Sequence, residues 1–108
     1  MNTAEVLQAV RERLTPRDQW SRDALALDAK GRPVDPNTAK AVSWHLFGAL
    51  KYEVGPAILE HPAYRLLSTT AMDHFGETSL FVNESMGHKA VLQLLDVALQ
   101  MAQEEERL

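Results

Sequence analysis

The chain has 108 residues, is 45% hydrophobic and 24% charged, and carries a net charge of −4 with a pI near 5.5. That length fits a single domain, 1–108, burying roughly 60–70% of its unfolded surface, and the ordinary composition excludes a wholly disordered chain. With no cysteine, disulfides, thiolate metal sites and cysteine nucleophiles are excluded, and the mildly acidic balance lacks a basic nucleic-acid footprint.

The first element reads as an amphipathic helix over Thr3–Leu14. Val6, Leu7, Val10 and Leu14 form one stripe at helical spacing, with Asn2 or Thr3 as cap. Thr15-Pro16 ends it, because the residue before proline is pushed out of the helical region. The opening MNTAEVLQAVRERL lacks the basic head and unbroken apolar centre of a secretory signal. No apolar run approaches the ~20 residues that span a bilayer, so a cytoplasmic location is expected.

From Asp18 to Pro36 the pattern changes. Trp20 is a large apolar anchor in a polar stretch, and Leu25 and Leu27 alternate as in a short strand. Asp28-Ala29-Lys30-Gly31 suits a type I turn, and Arg32-Pro33-Val34 can return as an edge strand. An irregular β-hairpin is predicted, with a helical turn over Trp20–Ala26 as the competing reading. Asp35-Pro36 then looks like a helix entry, with Asp35 as cap and Pro36 first. This second helix is expected to reach Glu53, ahead of Gly55-Pro56. Val42, Leu46, Ala49 and Leu50 make one apolar face, Trp44 and Phe47 a second, and Ala41, His45, Gly48 and Tyr52 a third line. A helix apolar nearly all round is a central one. Gly48 costs about 1 kcal/mol of helix propensity against alanine, so a close backbone approach there is expected.

Gly55–Pro62 reads as a connection with one helical turn through Ile58-Leu59. A third helix is predicted from Pro62 to about His74, with Tyr64, Leu67, Ala71 and Phe75 on one face and Gly76 as stop. The stretch ETSLFV is expected to be an extended connector plugging Leu80, Phe81 and Val82 into the core. The last helix should run from Met86 or Gly87 to Glu106, with Val91, Leu94, Leu95, Ala98, Met101 and Ala102 inward. The predicted fold is mainly α: a compact bundle of four main helices with a small β-hairpin or extended arm between helices 1 and 2.

The polar residues admit two readings. In LFVNESMGHKAVLQLL, Asn83 or Ser85 can cap the last helix and Glu84 can favour the positive end of its dipole. The same helix start could instead hold an anionic group. His74 and Glu77 are separated by the breaker Gly76, and no metal site is expected. His45, on a mostly apolar helix, reads as a hydrogen-bonded core histidine whose partner must be found. Ser43, Ser68, Ser79 and Ser85 lack a nucleophile-elbow context, and the five glycines make no phosphate-cradling loop. No catalytic set and no cofactor are expected.

Three stretches carry a resemblance: WSRDALALDAKGRPVDP, AVSWHLFGALKY and VNESMGHKAVLQLLDVAL. They resemble a family of short bacterial and phage proteins of unknown function. Its pattern is a tryptophan, then Ala-x-Asp-x-x-Gly, then Ala-Val-x-Trp-x-x-x-Gly-Ala-Leu, then an Asn-Asp pair before a final helix. Here these are Trp20; Ala26, Asp28 and Gly31; Ala41, Val42, Trp44, Gly48, Ala49 and Leu50; and Asn83-Glu84. The chain departs at His45, often cysteine in that family, and at Glu84. The resemblance implies a bacterial or phage setting and no known activity.

Three functional readings follow. The first is a non-enzymatic interaction or accessory module that uses surplus apolar helix faces to bind itself, as a homodimer, or another protein. The second is a small-ligand or catalytic pocket built from Trp20, Asp28, Trp44, His45, Asn83, Glu84 and His88. The third, weaker one is nucleic-acid binding through Arg11, Arg13, Arg17 and Arg22. No membrane partner is expected.

Overall fold

The structure is a computed structural model, and it describes residues 1–107. Helix α1, Thr3–Leu14, forms as predicted. The Asn2 side chain accepts from the Glu5 backbone N–H at 2.8 Å while the Asn2 N–H donates to the Glu5 carboxylate at 2.9 Å, a reciprocal capping box. Val6, Leu7, Val10 and Leu14 are buried along one stripe.

The segment after Pro16 is a four-ribbon patch in place of a simple hairpin. A short 3-10 turn, Arg17–Gln19, precedes Trp20, so the helical alternative over Trp20–Ala26 does not form. The turn at Asp28–Gly31 is present, with Gly31 N–H on the Asp28 carbonyl at 3.0 Å. Val34 N–H reaches the Ala26 carbonyl at 3.0 Å, which returns the chain as the hairpin reading required. The named strand β1, Ala26–Leu27, nevertheless pairs antiparallel with β2, Ser43–Trp44, in the register Ala26 to Trp44 and Leu27 to Ser43. Trp20 bridges the outer side of Trp44 in parallel.

The expected helix from Asp35 to Glu53 is therefore corrected. Helix α2 is Leu46–Val54, and its cap is His45. Asp35 instead caps a tight turn, its carboxylate accepting from Asn37 N–H at 2.8 Å. Ala41 to Trp44 are outside any helix. Two things override the helical periodicity there. Val42 and His45 donate their backbone N–H to Leu27 and Leu25 at 2.8 and 3.1 Å. The buried Trp44 indole N–H is satisfied by the Pro36 carbonyl at 3.0 Å, a contact that needs the chain to double back. The close approach at Gly48 is real: a Cβ there would lie 1.8 Å from the Leu25 carbonyl oxygen.

Ile58–Glu60 makes the single helical turn expected, and helix α3, Pro62–Phe75, follows with His61 as cap and Pro62 first. Gly76, at φ 66°, ends α3 in the left-handed conformation. The supposed extended connector is helical. Helix α4, Ser79–Phe81, is capped by the Thr78 hydroxyl and widens into a π turn over Val82–Met86, closed by Gly87 N–H on the Val82 carbonyl at 3.1 Å. Of the three residues expected to plug the core, only Val82 does; Leu80 and Phe81 stand 44% and 43% exposed. The described residues thus hold five α-helical segments, one more than the four predicted, with a small two-stranded sheet.

Helix α5, His88–Glu106, buries Val91, Leu94, Leu95, Ala98 and Ala102. It runs antiparallel to α1, because His88 meets Leu14, Arg11 meets Asp96, and Ala4 meets Glu106. Side chains of α1, α2, α3 and α5 share one apolar core.

Candidate functional site

Five of the seven residues singled out in the sequence meet in one network. The π turn rotates Asn83 inward until it is 0% exposed. Its Oδ1 accepts from the Trp20 indole N–H at 2.8 Å and from the Leu46 backbone N–H at 3.1 Å. Its Nδ2 donates to the Ser21 and Arg22 carbonyls at 3.2 and 2.9 Å. All four hydrogen-bonding positions of the amide are filled.

His45 sits beside this hub and is 1% exposed. Its Nδ1 accepts from the Phe47 N–H at 3.0 Å, capping α2. The ring proton is thereby assigned to Nε2, which faces the Glu84 carboxylate at 3.2 Å. Burial pushes the His45 pKa below the ordinary histidine value, while the Glu84 carboxylate and, more weakly, Asp23 pull the other way. His88 donates Nε2–H to the Leu14 carbonyl at 2.6 Å and stacks near Trp20, ring centres 5.5 Å apart.

The structure places the other two elsewhere. Trp44 turns its ring towards Arg13 and Tyr52, the guanidinium lying 4.6 Å from the Trp44 centroid and 3.7 Å from that of Tyr52. Asp28 closes its own turn. It accepts from the Arg32 and Lys30 backbone N–H groups at 2.9 Å each and from Arg32 Nε at 3.0 Å. The Arg32 backbone N–H is the foremost cause holding the Asp28 carboxyl below its usual range, and burial opposes it.

Helix capping explains the LFVNESMGH stretch less well than its spacing suggests. Among the described residues no side chain caps α5; Gly87, at φ 97°, precedes it. Asn83 and Glu84 face the core and His45 instead. One participant escaped notice in that role: Arg22 donates to the Glu84 carbonyl at 2.7 Å and lies 5.2 Å over the Trp20 ring. The other arginines of the suggested basic group are dispersed in their contacts, Arg11 with Asp96 and Arg13 with Glu53.

Chemically the network is a clamp. It ties the Trp20–Arg22 segment to the π turn and to the start of α2, and the polar atoms of Asn83 and the ring nitrogens of His45 are engaged by the protein itself. Among the described residues no three His, Asp or Glu side chains stand close enough to share a metal ion, and no helix is long and apolar enough to cross a membrane.

A concavity of about 300 Å³ opens on another face, between α2, α3 and α4. Phe47 and Tyr64 form its aromatic wall, with ring centres 5.5 Å apart at 53°. Met72 and Leu80 flank it. Sequence reasoning missed this groove. Tyr64, Ser68 and Met72, four residues apart on α3, are the available signal, but the sequence reading directs Leu80 into the core.

Over residues 1–101 the chain matches the profile described as "Family of unknown function (DUF6197)". No curated protein and no solved structure matches it.

Proposed function

The chain belongs to this family of unknown function, and from the character of its surface we propose that it is a non-enzymatic protein-interaction module. The observation that carries this reading is the display of apolar side chains along the α4 segment. Leu80, Phe81 and Met86 are each 43–44% exposed, and Met72 of α3 is 53% exposed. Val82 and Asn83, on the inward side of the same segment, are fully buried. The backbone that bears the outward side chains is therefore pinned by core packing and by four hydrogen bonds. Apolar groups held in water on a fixed backbone gain free energy when a partner covers them, with little ordering cost.

The polar network supports the same reading from the other side. The amide of Asn83 and the ring nitrogens of His45 are engaged in holding the fold, and a substrate would have to break those bonds. The partner is a second copy of the chain or another protein.

Sedimentation velocity over a wide concentration range, with a photo-crosslinking side chain placed at Phe81, tests this. The expected result is self-association, or a crosslinked protein partner, that the double variant Phe81→Ser, Met86→Ser weakens by at least about tenfold. A protein that stays monomeric throughout and crosslinks to no protein from position 81 overturns the reading.

A further inference from the structure

We propose that the groove between α2, α3 and α4 binds a small uncharged molecule with a ring-sized apolar body and at least one hydrogen-bonding atom. Three observations carry this. The first is size. The cavity of about 300 Å³ lies at the small end of the range for small-molecule sites.

The second is charge. None of the residues lining the groove is charged. An ionised ligand would lose its hydration there and meet no counterion, whereas a neutral ring meets the tilted pair Phe47 and Tyr64 and the polarisable Met72 sulfur.

The third is hydrogen bonding. Ser68, Thr78 and Ser79 bring three hydroxyls to the groove. Thr78 is engaged, accepting from Phe81 N–H at 3.1 Å. Ser79 is a largely buried residue whose hydroxyl makes no hydrogen bond to another described residue and stays open to the groove it lines. A hydroxyl that the protein leaves unengaged can exchange its water for a ligand oxygen or nitrogen at that wall. The groove shares Met72 and Leu80 with the exposed apolar surface described above, whereas Phe81 and Met86 do not line it, so variants at Phe81 and Met86 test the interaction surface without altering the groove lining.

The test is an NMR titration of the full chain with naphthol, with naphthoate and methylnaphthalene as comparison probes. Saturable shifts are expected at the amides of Tyr64, Met72, Ser79 and Leu80. Naphthoate should bind at least about tenfold more weakly than naphthol, for lack of a counterion. Ser79→Ala should weaken naphthol about fivefold and leave methylnaphthalene unchanged, because only the former uses the hydroxyl. Ser68→Phe, on the more accessible wall, should block both, and thermal melts of the free variants establish that they fold. The absence of saturable shifts at those amides, equal binding of naphthoate, or unchanged binding by folded Ser68→Phe each overturns the proposal.

Discussion

Asn83 shows how far one side chain can decide local structure. It joins Trp20, Ser21, Arg22 and Leu46, residues far apart in sequence, through four hydrogen bonds inside the protein. Replacing it with alanine leaves two buried donors and two carbonyls without their partner. Asn83→Ala is expected to cost about 3 kcal/mol, read from the urea midpoint at unchanged m value. His45 makes a different prediction. Its neutral ring caps α2 through Nδ1, and burial lowers its pKa in the folded state. The unfolded chain therefore binds the proton more readily than the folded one. The stability His45 contributes is complete above its unfolded value of about 6.5 and is lost as pH falls from there towards the folded value. Urea unfolding from pH 7 to 5 should show declining stability, and His45→Asn, which retains a capping side chain without titrating, should flatten that decline. Trp20, His45, Asn83, Glu84 and His88 were legible in the sequence as polar or aromatic residues needing an explanation. Their partners were not, since those lie tens of residues away.

The elements divide by whether their determinants are local. Helix α1 was predicted to the residue because the Asn2–Glu5 box, the stripe and Thr15-Pro16 all lie within the segment. Asn2→Ala should lower stability by about 1 kcal/mol in the same urea assay. The start of α2 was misread because Asp35-Pro36 and the following apolar residues satisfy a helical pattern equally well. The competing pull comes from β1 and the residue before it: the Leu25 and Leu27 carbonyls take the N–H groups of His45 and Val42. ETSLFV was misread for a related reason: Thr78 caps a short helix that only the inward demand of Asn83 and Val82 makes worthwhile. Gly48 was read correctly as a contact point, and its partner proves to be the Leu25 backbone. That contact cannot yield as a side chain can. Gly48→Ala is expected to destabilise by about 3 kcal/mol despite alanine's better helix propensity, measured by thermal melting.

On the scale of the whole molecule, α1 and α5 form an antiparallel pair along which polar contacts mark the register. The Arg11–Asp96 ion pair is one of them, with the Asp96 side chain 55% exposed. Solvent screens such a pair, and Arg11→Gln should change stability by less than about 1 kcal/mol. By contrast Arg13 is stacked on Trp44 and Tyr52 and faces Glu53, so it joins α1, β2 and α2. Its replacement by lysine keeps the charge and loses the planar stacking, and should cost more than Arg11→Gln in a parallel denaturation series. The sequence by itself determined the helical class, three of the long helices, the turns at Gly31 and Gly76 and the tight approach at Gly48. Each of these follows from periodicity, capping or backbone freedom within a few residues. The tertiary structure alone decided that Ala41–Trp44 is extended, that α4 turns Leu80 and Phe81 outward, and that Asn83 closes the clamp. Those outcomes rest on hydrogen bonds and packing between segments distant along the chain, and only their meeting in space sets which local preference prevails.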